Sequence, residues 1–237
     1  MRAQSHVVGV ALMLGLAVVA LGGLTVGIGN LVDSQAAGAD AQRMAGELDQ
    51  AVEGVERTGY HSHDVHFSAG TLQTADRTLR LLENGTVIAE HDVDALVFEN
   101  DDHRVVSLAG AVVRDNGASA WLASPPPITH SEQTEVVAVG VPVLNTGRIS
   151  VSGDGGVTRN IETNVSHDRR DLGTGEFAVA IETETPEPFE RYFEEKDVLV
   201  DQREFSGDDR ESVVLTFPGT REGYLVVHDL NLEVSNA

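Results

Sequence analysis

Three histidines, His61, His63 and His66, stand close enough in the chain to suggest a metal site. Imidazole is the commonest protein ligand for zinc, copper and nickel. In an extended strand side chains alternate, so His61 and His63 share a face while His66 points to the other. That spacing predicts a solvated strand edge and no metal centre. The acidic residues Asp101-Asp102, Asp154 and Asp208-Asp209 offer oxygen donors for calcium, yet none follows the twelve-residue EF-hand loop. They read as surface charge. Ser119 follows Gly117 by two places but precedes Ala120-Trp121, which leaves a nucleophile elbow incomplete. The chain has no His-Glu-x-x-His, phosphate-loop or dinucleotide motif. It also has no cysteine, which removes disulfides, thiolate metal sites and cysteine nucleophiles together. The expectation is a protein that is not an enzyme, with no cofactor and no metal. Asn84-Gly85-Thr86 and Asn164-Val165-Ser166 are N-glycosylation acceptors, which fit an exterior location.

Charge narrows the partners. Sixteen basic and 38 acidic residues give a net charge of -22, and Lys196 is the only lysine. Such a chain is repelled by nucleic acid, so no nucleic-acid partner is expected. Heavy acid use with almost no lysine resembles proteins of salt-adapted organisms, in which molar salt shortens the Debye length to about 3 Å.

The elements that position these residues begin with an apolar stretch from Val7 to Val32, with no charged side chain. Eighteen or more such residues read as a membrane helix. A secretory signal would need a shorter apolar core before a small-residue cleavage site, and Ala36-Ala37-Gly38-Ala39 offers one; an uncleaved single-pass anchor is the other plain reading. From Asp33 to Thr58 there is no proline, and Ala41, Met44, Ala45, Leu48, Val52 and Val55 fall three and four apart on one helical face. The pattern predicts one rod over about 6–57 that needs partners along its length. Gly23 and Gly27 make a small-xxx-small face for close helix packing.

The segment Arg2-Ala3-Gln4-Ser5-His6-Val7-Val8-Gly9-Val10-Ala11-Leu12 resembles the amino terminus of haloarchaeal type IV pilin-like proteins. The resemblance implies a leader, residues 1–3, removed between Ala3 and Gln4 by a prepilin-type peptidase that reads Arg2 and Ala3. It implies a transmembrane and assembly helix over 4–58, packing with identical or other pilin-like subunits after leaving the lipid bilayer. The familiar serine-proline start reads Ser5-His6 here, and Val8 stands where many pilins carry glutamate. The expected function is a type IV pilin-like subunit at the cell membrane or in a surface filament. The alternative is a single-pass membrane-tethered extracellular binding module.

Residues 60–237 read as the head. Asparagine-glycine at Asn84-Gly85 predicts a hairpin between Thr78–Leu82 and Thr86–Glu90. Strands are expected at Val93–Glu99, Arg104–Leu108, Glu135–Leu144, Arg148–Ser152, Val157–Val165, Glu176–Thr183, Val198–Phe205, Ser212–Phe217 and Tyr224–Val234. Ser124-Pro125-Pro126-Pro127 is a stiff connection, so a subdivision at 124–130 is conceivable. Thr185 as cap and Pro186 at the first helical position start one short helix with Phe189, Tyr192 and Phe193 on its inner side. The fold class expected is α+β: a long N-terminal hydrophobic helix, then a mostly antiparallel, sandwich-like head with one short docked helix.

Overall fold

Apolar residues spaced three and four apart after position 34 fold onto the chain's own sheets. The computed structural model describes the backbone of residues 3–53 and 57–236, and the side chains of residues 13–19, 21–22, 34–52 and 57–236. Helix α1 runs Ala3–Glu53. On it Ala41, Met44, Ala45, Leu48 and Val52 are buried, joining a core with Val65, Phe67, Leu72, Leu96, Phe98, Val105 and Val112. Upstream, Met13, Leu14, Leu16, Val18 and Val19 are exposed.

Among the described residues no helix is long and apolar enough to cross a membrane. This corrects the expected architecture of a long hydrophobic membrane helix carrying a separate head. The pilin-like resemblance falls with it, as do the filament subunit and the single-pass tethered module. So do the lipid bilayer, the prepilin-type peptidase and identical or pilin-like subunits as partners, and the placement at a cell membrane or surface filament. The physical reason lies in the amphipathic half of α1. Its apolar face, read as needing other subunits, is already covered by this chain's own strands.

The remainder is β. In chain order the strands are β1 (Gly59–Phe67), β2 (Gly70–Ala75), β3 (Thr78–Glu83), β4 (Thr86–Asp92), β5 (Ala95–Asn100), β6 (His103–Leu108), β7 (Ala111–Asp115), β8 (Ala120–Ser124) and β9 (Ile128–Ser131). They continue with β10 (Val136–Val143), β11 (Ser150–Gly153), β12 (Val157–Gly175), β13 (Phe177–Glu182), β14 (Leu199–Arg203), β15 (Ser212–Thr216), β16 (Arg221–Asp229) and β17 (Glu233–Asn236). Helix α2 (Glu187–Glu194) lies between β13 and β14. Among the described residues three sheets form, in place of the expected sandwich-like head: β1-β12-β16-β10-β9 with β17 on β12, β11-β2-β5-β6-β7-β8, and β14-β15-β13-β3-β4. Pairing is antiparallel except between β10 and β16, which run parallel.

The β11-to-β8 sheet is the middle layer. Leu96 and Phe98 of β5 face α1, while Ala95 and Val97 on its other side enter a second core with Leu79, Val139, Val179 and Leu215. A strand buried on both sides reads as a continuous apolar run instead of an alternation. Gly70, the first residue of β2, has φ +124, and a Cβ there would sit 2.5 Å from the Glu99 carbonyl oxygen. Only glycine permits both that conformation and that approach. In α2, Phe189 and Phe193 are buried in the second core. Pro186 itself occupies the cap position and no side chain caps the helix, which corrects the cap expected from Thr185.

Candidate functional sites

The most buried carboxylates hold chain segments in place. Asp40, 2% exposed on α1, accepts from the Ser68 N–H at 2.9 Å, the Ala69 N–H at 3.3 Å and the Ser68 hydroxyl at 3.1 Å. Two turns on, Glu47 accepts from the His66 N–H at 2.7 Å, and burial pushes its carboxyl up. These bonds clamp α1 to the β1–β2 turn beside a cleft of about 730 Å³ lined by Ala36, Asp40, Ser68 and Asn100. Glu182, 3% exposed, likewise accepts from the N–H groups of Thr78, Asp209 and Arg210 at 3.0 to 3.1 Å.

Two arginine networks hold the chain together, one within the β14-β15-β13-β3-β4 sheet and one reaching from it to Arg104 on β6. Arg80 forms a two-pronged pair with Asp208 at 2.6 and 2.7 Å, reaches Glu90 at 2.7 Å, and lies 4.7 Å from the Phe205 ring centre. Glu184 meets Arg77 at 2.6 Å, Arg104 at 2.5 Å and Arg210 at 3.1 Å. Burial works to raise the Glu184 carboxyl, but Arg104, Arg77 and Arg210 outweigh it and hold it below the usual range. A depressed carboxyl contributes stability that is present above its unfolded pKa and lost as pH falls through its folded one. Glu184→Gln is therefore expected to cost about 1–3 kcal/mol at pH 7. The deficit should shrink as pH drops below about 4.5, where the unfolded parent also binds the proton. Urea titrations of both chains at pH 7 and pH 4 check this; a deficit independent of pH would contradict it.

A third arrangement joins two strands. His167 on β12 and His228 on β16 are register partners. Their Nδ1 atoms are 3.0 Å apart and the rings stand edge to face with centres 4.9 Å apart. His228 is buried, and the His167 Nε2 is shut from solvent with no hydrogen-bond partner among the described residues. Two nitrogens at this distance either share one proton or grip one cation.

The fourth feature is a sheet face. Strand alternation sends Val65 and Phe67 of β1, and Ile161 and Val165 of β12, inward. The opposite face carries Tyr60, Ser62, Asp64 and His66 on β1, Thr158, Asn160, Glu162 and Asn164 on β12, and Glu233 and Ser235 on β17. Asn160 Nδ2 donates to Ser62 Oγ at 2.9 Å and Asp64 Oδ1 at 2.8 Å, and the His66 Nδ1 is 3.0 Å from Thr158 Oγ1. Tyr60 is 83% exposed.

Residues 2–233 match the profile of a family described as a family of unknown function, DUF7289. The chain belongs to this family. Neither a curated protein nor a solved structure matches it.

In this DUF7289 member the residues singled out from sequence are scattered. Arg2 lies outside the described residues, and so do the side chains of Ala3 and Gln4 and the surroundings of Gly23 and Gly27. Asn84 is exposed at a turn with φ 49, and Asn164 is exposed on β12 opposite Tyr60. His61 bonds through Nε2 to the Arg57 carbonyl at 2.9 Å, on the face opposite His66. Asp101 and Asp154 are exposed in turns, whereas the Asp208 side chain is 2% exposed under Arg80, which corrects its reading as surface charge. Ser119 sits in a turn whose Asn116 Oδ1 accepts from its N–H at 2.9 Å, beside a cleft of about 490 Å³. Sequence reasoning missed the His167–His228 pair and both arginine networks. Partners 61 and 128 residues apart leave no local spacing to read.

Proposed function

We propose that this chain is a non-catalytic recognition module whose contact surface is the outer face of β1, β12 and β17, and whose ligand is a neutral, hydroxyl-rich molecule of the carbohydrate class. The observation that carries the reading is an exposed aromatic ring, Tyr60, on the same sheet face as an amide, a hydroxyl and a carboxylate fixed by the cross-strand bonds of Asn160 to Ser62 and Asp64. A flat ring offers apolar stacking at little conformational cost, and Asn, Ser and Asp side chains supply both donors and acceptors. The carboxylates on the face disfavour anionic ligands. Among the described residues nothing packs over it. A non-catalytic role is supported by Asp40 and Glu182, whose oxygens are spent on the chain's own N–H groups.

Isothermal titration of the full chain with soluble neutral polysaccharides tests the reading. Tyr60→Ala is expected to weaken binding at least tenfold, about 1.4 kcal/mol, while the melting temperature stays unchanged because the ring is exposed. Equal binding by parent and variant, or no binding to any neutral glycan, would reject the proposal.

A further inference from the structure

The geometry points to the His167–His228 pair as a binding site for one divalent transition-metal ion of the copper(II) or nickel(II) class. His167 and His228 face each other across β12 and β16, so their spacing is set by the ladder and not by mobile loops. Metal–imidazole bonds of about 2.0–2.1 Å spanning an Nδ1–Nδ1 separation of 3.0 Å subtend an angle of roughly 94°. That suits the cis positions of a square-planar or tetragonal ion better than the wider angle of tetrahedral zinc. Among the described residues no group of three or more His, Cys, Asp or Glu forms a cage, so the two imidazoles are the ligands that the described residues supply. Copper(II) is expected to bind most tightly, as the general order of divalent affinities requires. Arg169, two places beyond His167 on the same face of β12, keeps the affinity modest by like-charge repulsion.

The test uses the full chain, copper(II) and nickel(II) salts, and a buffer that does not chelate. One copper ion per chain is expected, with electron paramagnetic resonance showing nitrogen coupling from two imidazoles. His167→Gln should weaken copper binding at least tenfold, whereas His61→Gln/His63→Gln should leave it unchanged. If His167→Gln fails to fold, proton resonances of the unaltered chain still decide: the His167 and His228 ring signals must broaden first as copper is added. Loss of the nitrogen coupling only in the His61/His63 variant would overturn the site. Absence of copper binding would overturn it too, leaving the pair as two rings sharing one proton.

Discussion

Asp208→Ala is expected to destabilise the chain by about 3–5 kcal/mol, the usual cost of leaving one member of a buried ion pair alone. Arg80 and Asp208 have side chains 7% and 2% exposed, and both terminal guanidinium nitrogens reach the carboxylate. The Asp208 hydrogen bond is the largest influence holding the Arg80 proton, with burial opposing it. Once the carboxylate is removed, Glu90 still touches Arg80 at 2.7 Å, but its side chain is 54% exposed and cannot replace a buried counter-ion. At about 2–4 °C per kcal/mol for a domain of this size, the melting temperature should fall by about 10 °C. Arg80→Met/Asp208→Leu provides the contrast. Removing both charges removes the unpaired one, so the double variant should recover most of the loss. A double variant as unstable as Asp208→Ala would show that the segment around Phe205 and Asp208, and not the charge pair, carries the effect.

Part of this architecture is legible in the residue order and part is not, and the division follows physical range. Asn84-Gly85 sits between β3 and β4 with φ 49 and 77, because a two-residue hairpin loop asks for left-handed backbone. Phe189 and Phe193 reveal their burial through helical spacing alone. β12 behaves otherwise. Apolar alternation ends near Val165, yet the strand continues through His167-Asp168-Arg169-Arg170 to Gly175. Pairing with β16 sustains it, and its largely exposed side chains leave no hydrophobic signature. The parallel contact of β10 with β16 is similarly silent, since it joins strands some 80 residues apart through backbone groups that every residue carries. The carboxylates of Asp40, Glu182 and Asp208 look like any others in so acidic a chain, and only the fold reveals which three are enclosed.

A chain shortened to begin at Tyr60 is expected not to reach the native state, although residues 60–237 read in sequence as an independent head. The reason is the surface that α1 covers. Met44 and Leu48 are fully buried against Phe67, Leu72, Leu96, Phe98 and Val105, all of which lie after residue 60. Removing α1 would expose that apolar set and also strip the β1–β2 turn of Asp40 and the His66 N–H of Glu47. Each buried aliphatic or aromatic side chain returned to water costs roughly 1.5–3 kcal/mol, and several together exceed the 5–15 kcal/mol that usually separates folded from unfolded chains. The shortened chain should therefore bind a hydrophobic dye and melt without a cooperative transition. Leu48→Ala in the full chain is the graded version, with an expected loss of about 2–5 kcal/mol and the two-state melt retained. A cooperative melt of the shortened chain within a few degrees of the parent would mean that α1 merely rests on the sheets. The buried face on Met44 and Leu48 would then be available to something else.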